Sequence, residues 1–244
     1  VSEPLSLPAS ARVRAEWHAR IAAEYTSAAI TQTLTLWLMQ LGAPPDLIHA
    51  GLEIVGDELV HSRMADETYR AAGGSEPPAI GMAQLQLEPL EAALPLDVLR
   101  VCLQSFCLGE TVAVPLFSRL REGCTEAAAR AALDRVLVDE VRHRDFGWDL
   151  LDWLTASGLV DDVATRVAAW LPGMLAELDR CYGAASPTYA AGATLEPAER
   201  AWGLAPTTTY AEVLGRTIER DLAPRFAARG VDVAAAWAAR ASAA

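Results

Sequence analysis

The string Asp-Glu-x-x-His occurs twice, as Asp57-Glu58-Leu59-Val60-His61 and as Asp139-Glu140-Val141-Arg142-His143. The whole chain has four histidines, so half of them sit in these two strings. On an α-helix, residues three apart share a face. Glu58 and His61 then offer a carboxylate and an imidazole in one direction, and Glu140 and His143 do the same from a second helix. A single Glu-x-x-His arises readily by chance in helical sequence. Two identical copies constrain the fold far more, because both faces are satisfied together only if the two helices turn them toward a shared cation.

Glycine and proline divide the rest of the chain into helices long enough to carry these faces. A first helix is expected from about Ser10 to Leu41, stopped by Gly42 and followed by Pro44 and Pro45. A second is expected from about Asp46 to Ala72, stopped by Gly73 and Gly74. Residues 73–95 hold Pro77, Pro78, Gly81, Pro89 and Pro95 and read as an irregular crossing segment. A third helix runs from about Leu96 to Glu122. A fourth opens with Thr125 as N-cap and ends near Ser157 and Gly158. Short, long, short connections predict an all-α, up-down four-helix bundle with one long crossover.

Beyond Gly158 the sequence predicts a helix containing Pro172 that reaches about Tyr182, then a loop with Pro187, Gly192 and Pro197. Thr209-x-x-Glu212 reads as a capping box opening a helix to about Arg229, and Val231 to Ala244 adds a last short helix. Residues 159–244 are therefore expected as a helical extension packed on the 1–158 bundle within one domain. No repeat of 20–50 residues is visible, but each helix pair carries one further Glu and then one Asp-Glu-x-x-His.

Composition supports this reading. The chain is 52% hydrophobic, rich in alanine and leucine and poor in β-branched residues, which favours packed helix over disorder or sheet. A net charge of −12 argues against a nucleic-acid partner, since phosphate neutralisation needs clustered Lys and Arg. The four cysteines form no C-x-x-C pair, so neither a zinc ribbon nor a rubredoxin site is written here. They read as reduced thiols in a cytoplasmic protein, with Cys102, Cys107 and Cys124 buried. No signal peptide is visible at Val1 to Ser10, and no apolar run approaches the ~20 residues of a membrane span, the densest lying around Leu34 to Leu41.

A site for two metals needs a carboxylate from each remaining helix. Glu24 fits in the first, on a face reading Trp17, Ile21, Glu24, Ala28, Thr31, Thr35, Leu38. Glu110 fits in the third, on a face reading Leu99, Leu103, Phe106, Glu110, Ala113, Val114, Phe117. A lone carboxylate in such a stripe is costly to bury unless something pairs with it. Glu16 falls among Arg12 and Arg20 on a polar face, and Glu53 lies roughly 140° around the helix from Glu58. His18 and His49 point away from the faces of Glu24 and Glu58. Four carboxylates and two neutral imidazoles balance two divalent ions, and mixed oxygen and nitrogen donors suit iron or manganese.

The series Glu24, Glu58-x-x-His61, Glu110, Glu140-x-x-His143 resembles the ferritin-like diiron-carboxylate superfamily over about residues 10–157. The resemblance implies a ferritin-like bundle holding two iron ions, with Fe/Fe, Mn/Fe and Mn/Mn as the pairs such sites take. It implies that Glu58 and Glu140 bridge the metals and that Glu24 and Glu110 are terminal. It also implies that Asp57 orients His143 and that Asp139 orients His61.

Several branches of the superfamily fit poorly. Leu59 stands where bacterioferritins carry a haem-ligating Met, and Ala65 where ribonucleotide reductase small subunits carry a radical Tyr. Val136 replaces the extra His of arylamine oxygenases, Val114 replaces a Thr frequent in hydrocarbon hydroxylases, and no rubredoxin module is present. The expected function is a non-haem diiron oxidase or oxygenase that activates O2 to oxidise a small organic substrate, fed by an external electron donor. A ferroxidase or peroxide scavenger, and a non-catalytic metal-bound bundle, are the alternatives. A homodimer is left open. Trp148, Trp153, Trp170, Tyr182, Tyr189 and Trp202 are expected mostly in the core, some of them as walls of a substrate pocket.

Overall fold

The computed structural model describes residues 5–78, 80–183 and 195–242. Among these the chain is all-helical, with eight helices and no strand. Helix α1 spans Leu7–Gln40, capped by the Ser6 hydroxyl, which accepts from the Ala9 amide. Helix α2 spans Pro45–Ala71, α3 Leu94–Glu122 and α4 Ala127–Ser157. Gly42 and Gly158 adopt positive φ beyond the ends of α1 and α4, the backbone shape that terminates a helix at lowest cost in glycine.

The four long helices close a ring in which α1 packs on α2, α2 on α4, α4 on α3 and α3 on α1. Each neighbour runs antiparallel to the next. On α1 and α2, Ile21 meets Ser62, Ser27 meets Glu58 and Thr35 meets Gly51. On α2 and α4, Asp57 meets His143 while His61 meets Asp139. On α3 and α4, Phe106 meets Gly147 and Arg121 meets Asp134. The exit of α2 and the entry of α3 therefore lie at opposite ends, and residues 72–93 cross the length of the bundle between them. A short 3₁₀ helix, Met82–Leu85, lies on α1 within this crossing. Buried Asp97 closes the segment by accepting from the Leu90 and Glu91 amides at 2.7 and 3.1 Å.

Beyond the ring come α5 (Val163–Tyr182), α6 (Pro197–Ala201), α7 (207–227) and α8 (Val233–Ala239). Their Val167, Leu171, Leu175, Leu222 and Phe226 join one apolar cluster with Leu99, Leu103, Phe106 and Leu151 of the bundle. Trp148 is buried edge-on against Phe226 and donates to the Thr111 hydroxyl. Helix α6 latches onto α1: Glu199 is buried, accepts two hydrogen bonds from Arg12 and takes the Glu196 amide.

Four sequence expectations need correction. The helix around Thr209 begins at Thr207 with Pro206 in the N-cap position, and no side chain caps it, because proline has no side-chain oxygen to accept from the first-turn amides. Thr125 is not the N-cap of α4; its amide and that of Glu126 donate instead to the Ala201 carbonyl. Pro197 opens a short helix, not a loop. The most apolar helix is α3, long and apolar enough to cross a membrane, and not the stretch near Leu34. Its apolarity has a local cause here: α4, α5 and α7 all pack on it. Pro187, Tyr189, Gly192 and the chain ends lie outside the described residues.

One irregularity lies next to the Asp-Glu-x-x-His faces. Residues Cys102–Glu110 of α3 form a π-helical segment, a wider turn than the regular helix expected there. Gly147 on α4 faces it, and a Cβ at that position would sit 2.5 Å from the Phe106 Cβ. The Gly147 carbonyl accepts from the Cys102 and Cys107 thiols at 3.2 and 3.3 Å.

Candidate metal centre

The ring of helices brings all six sequence-predicted ligand side chains together. They form two interleaved triads, Glu24–His61–Glu140 and Glu58–Glu110–His143, in each of which the donor atoms lie within 4.8 Å of one another. Each triad draws on three helices. The two carboxylates of the Glu-x-x-His strings reach across: Glu58 places Oε2 3.5 Å from His61 Nδ1 and Oε1 3.5 Å from His143 Nδ1. Glu140 does the same, with Oε1 3.9 Å from His61 Nδ1 and Oε2 3.4 Å from His143 Nδ1. Of the two imidazoles, Glu24 pairs with His61, at 3.8 Å. Glu110 joins the other half, beside Glu58 and His143.

Both imidazoles are turned the same way. His61 Nε2 meets Asp139 Oδ2 at 3.0 Å, and His143 Nε2 meets Asp57 Oδ2 at 3.3 Å. A carboxylate on Nε2 holds the proton there and leaves the Nδ1 lone pair of a neutral ring facing inward. Two arginines lock the aspartates. Arg135 donates to Asp57 at 2.8 Å and to Asp139, and Arg142 donates to Asp57 at 2.9 Å and to Asp139. Two acids and two bases cancel in this outer layer, so the charge of the inner four glutamates stands alone.

The inner layer is starved of partners. Glu58 Oε2, Glu140 Oε2, His61 Nδ1 and His143 Nδ1 are all buried with no hydrogen-bond partner among the described residues. Leaving one buried polar atom unsatisfied costs about 1–3 kcal/mol, so four converging on one point mark a place built for something else. Two divalent cations fit on charge, on donor type and on the pairing of the triads. Without them, protons must do the neutralising. Burial, with the charges of Glu24 and Glu110, pushes Glu58 up to about 8, and burial with Glu58 and Glu24 does the same for Glu140. Burial and Glu140 push Glu110 well up. Burial opposes the charged form of His61, but the neighbouring carboxylates of Glu24 and Glu58 outweigh it and raise the ring to about 11. Glu24 is held low despite burial, by His61, Glu58 and Arg20.

The rejected acids and histidines lie elsewhere. Glu53 is exposed and pairs with His49 at 3.6 Å, Glu16 pairs with Arg20 at 2.9 Å, and His18 packs on Tyr69. Three contributors escaped sequence reasoning. Ser27 donates to Glu58 Oε1 at 2.8 Å, and its position three residues after Glu24 was a usable signal. Arg135 and Arg142 flank Asp139 at helix spacings of four and three, the spacing at which opposite charges pair.

Comparison with known protein families, with curated proteins and with solved structures finds no match for this chain.

Proposed function

We propose that this chain is a non-haem diiron oxidase or oxygenase of ferritin-like architecture, which uses O2 to oxidise a small organic molecule. The observation that carries the reading is the double reach of Glu58 and Glu140, each with one oxygen toward each inward-facing imidazole. That is the geometry of carboxylates shared by two cations, and it supports the bridging roles expected of the superfamily resemblance. Glu24 and His61 then complete one metal position, and Glu110 and His143 the other. Two ferrous ions held there would supply the reducing equivalents for O2 chemistry.

The chain's own residues do the rest. Asp57 and Asp139 hold the imidazoles as neutral donors, Arg135 and Arg142 fix those aspartates, and the burial of Glu58, His61, Glu140 and His143 limits water at the centre. The same metal pair in a bundle with no substrate pocket would suit ferroxidase work; a cleft between α1 and α3, lined by Ser27, favours an organic substrate. Electrons for repeated turnover come from a separate donor.

The test begins with metal analysis of protein purified from iron-replete cells without added metal. About two metal ions per chain are expected, lost in Glu58→Ala and His143→Ala. Anaerobic loading with Fe(II) followed by air should then produce an absorbance change from iron oxidation. Wild-type protein that holds no metal sinks the reading at its base; bound iron indifferent to air leaves a structural metal site, and manganese in place of iron redirects the chemistry.

A further inference from the structure

A cleft of about 370 Å³ opens between α1 and α3, directly beside the carboxylate cluster. Ala19, Ala22 and Ala23 keep its α1 wall low, Ser105 and Phe106 of the π segment form the opposite wall, and Gln84 of the crossing segment stands at its rim. Its volume falls at the small end of the ~300–1,000 Å³ range of ligand pockets. Ser27, whose hydroxyl is bonded to Glu58, is one of its lining residues. One side chain thus separates the cleft from a carboxylate placed between both metal positions.

Thr31, one turn beyond Ser27 on the same wall, shows that the cleft is more than a packing gap. Threonines in helices commonly turn the hydroxyl back to the carbonyl four residues earlier, and Thr33, Thr35, Thr68, Thr155 and Thr217 all do so. Thr31 is fully buried, yet its Oγ1 has no partner among the described residues. Thr31 lines the cleft, so its unspent hydroxyl is the buried polar atom nearest to hand for a guest that settles against this wall. No charged side chain lines the cleft among the described residues, and its polar groups are hydroxyls and one carboxamide.

We propose that this cleft binds the substrate, and that the substrate is a small uncharged molecule carrying a hydrogen-bonding group such as an amide or alcohol, anchored by Thr31 Oγ1 with its other end toward Ser27. The assignment of the occupant as substrate rests on the dimetal reading above; the binding site itself does not. An anionic ligand is disfavoured twice over, because no cation lines the cleft and four glutamates lie behind its inner wall.

Ligand-observed NMR titration tests this with benzamide and benzyl alcohol as neutral probes and benzoate as the charged control. Both metal-free and metal-loaded protein are used, and metal content is measured in parallel. The neutral probes are expected to bind and benzoate to bind at least tenfold more weakly. Thr31→Val should weaken benzamide about fivefold, the worth of one hydrogen bond of about 1 kcal/mol. Ala22→Phe, which fills the cleft, should abolish binding, with Ala23→Phe as the second filling variant should Ala22→Phe fail to fold. Helicity and metal content should stay at wild-type values in the folded variants. Neutral probes that fail to bind at millimolar concentration, or that bind equally well to the filled variants, overturn the site. Equal binding of benzoate overturns the substrate class. Binding to protein that never takes up metal keeps the cleft and removes the dimetal reading, so the two failures are told apart.

Discussion

At the scale of single residues, the centre is a proton store in the absence of metal. Glu58 and Glu140 hold protons up to about pH 8 and His61 up to about 11, and burial beside Glu140 also holds the Glu110 proton well above the usual carboxylate range. In an unfolded chain the glutamates would release theirs near ~4.3 and the histidine near ~6.5. Between those pairs of values the folded state binds more protons than the unfolded one, so stability must fall as pH rises. All four groups act in the same direction. Metal-free protein should therefore lose thermal stability steadily from about pH 5 to about pH 8. Cations displace the stored protons, so uptake should release protons, tighten with rising pH and widen the Tm gap between loaded and metal-free forms over that range. Calorimetric titration in buffers of different ionisation enthalpy, with Tm measured at each pH, checks both. A metal-free Tm that rises across the window would remove this account. The six inner residues were legible in the sequence because a ligand face is a spacing of three or four along one helix. Ser27 and the arginine pair were harder to see, because their roles depend on which helix stands opposite.

At the scale of elements, α3 departs most from expectation. Its apolar periodicity placed Glu110 on an inward face, and the side chain does face inward, yet the helix reaches that point through a π segment. Nothing in the local sequence of Cys102–Glu110 announces the wider turn, since helix propensities do not distinguish it from the regular one. Its cause lies on α4, where Gly147 lets the backbones approach and offers its carbonyl to two thiols. Gly147→Ala forces a Cβ into the Phe106 Cβ. Such overpacking costs about 1–3 kcal/mol, and relief requires α3 to move relative to α4. Glu110 rides on α3 and His143 on α4, so their half of the centre should weaken first. The expected outcome is a lower Tm together with metal occupancy falling from two ions per chain toward one. Full occupancy with unchanged stability would show that the glycine is not what seats the segment. The capping errors at Thr125 and Thr209 have the same origin: a local motif was outcompeted by a contact or a proline outside it.

At the scale of the molecule, the two parts of the chain share one core, and the reason can be read from α3. Four helices around a polar centre leave the outer face of an apolar helix uncovered, and α5 and α7 cover it. Phe226 is the clearest tie. It is fully buried on α7, edge-on to Trp148 of α4 at 4.9 Å between ring centroids, and belongs to the same cluster as Leu99 and Phe106. Arg229 reinforces the contact from the surface, stacking over the Trp148 ring and pairing with Asp152. If the extension and the bundle are one cooperative unit, a cavity at Phe226 must be felt at the metal centre, although no atom of residue 226 approaches it. Phe226→Ala removes a fully buried ring and should cost about 3–5 kcal/mol. Differential scanning calorimetry should then show a single transition moved to lower temperature, with metal released in that same transition. Two separated transitions, the upper one still carrying the metal, would instead mean that the bundle holds its centre without help from the extension.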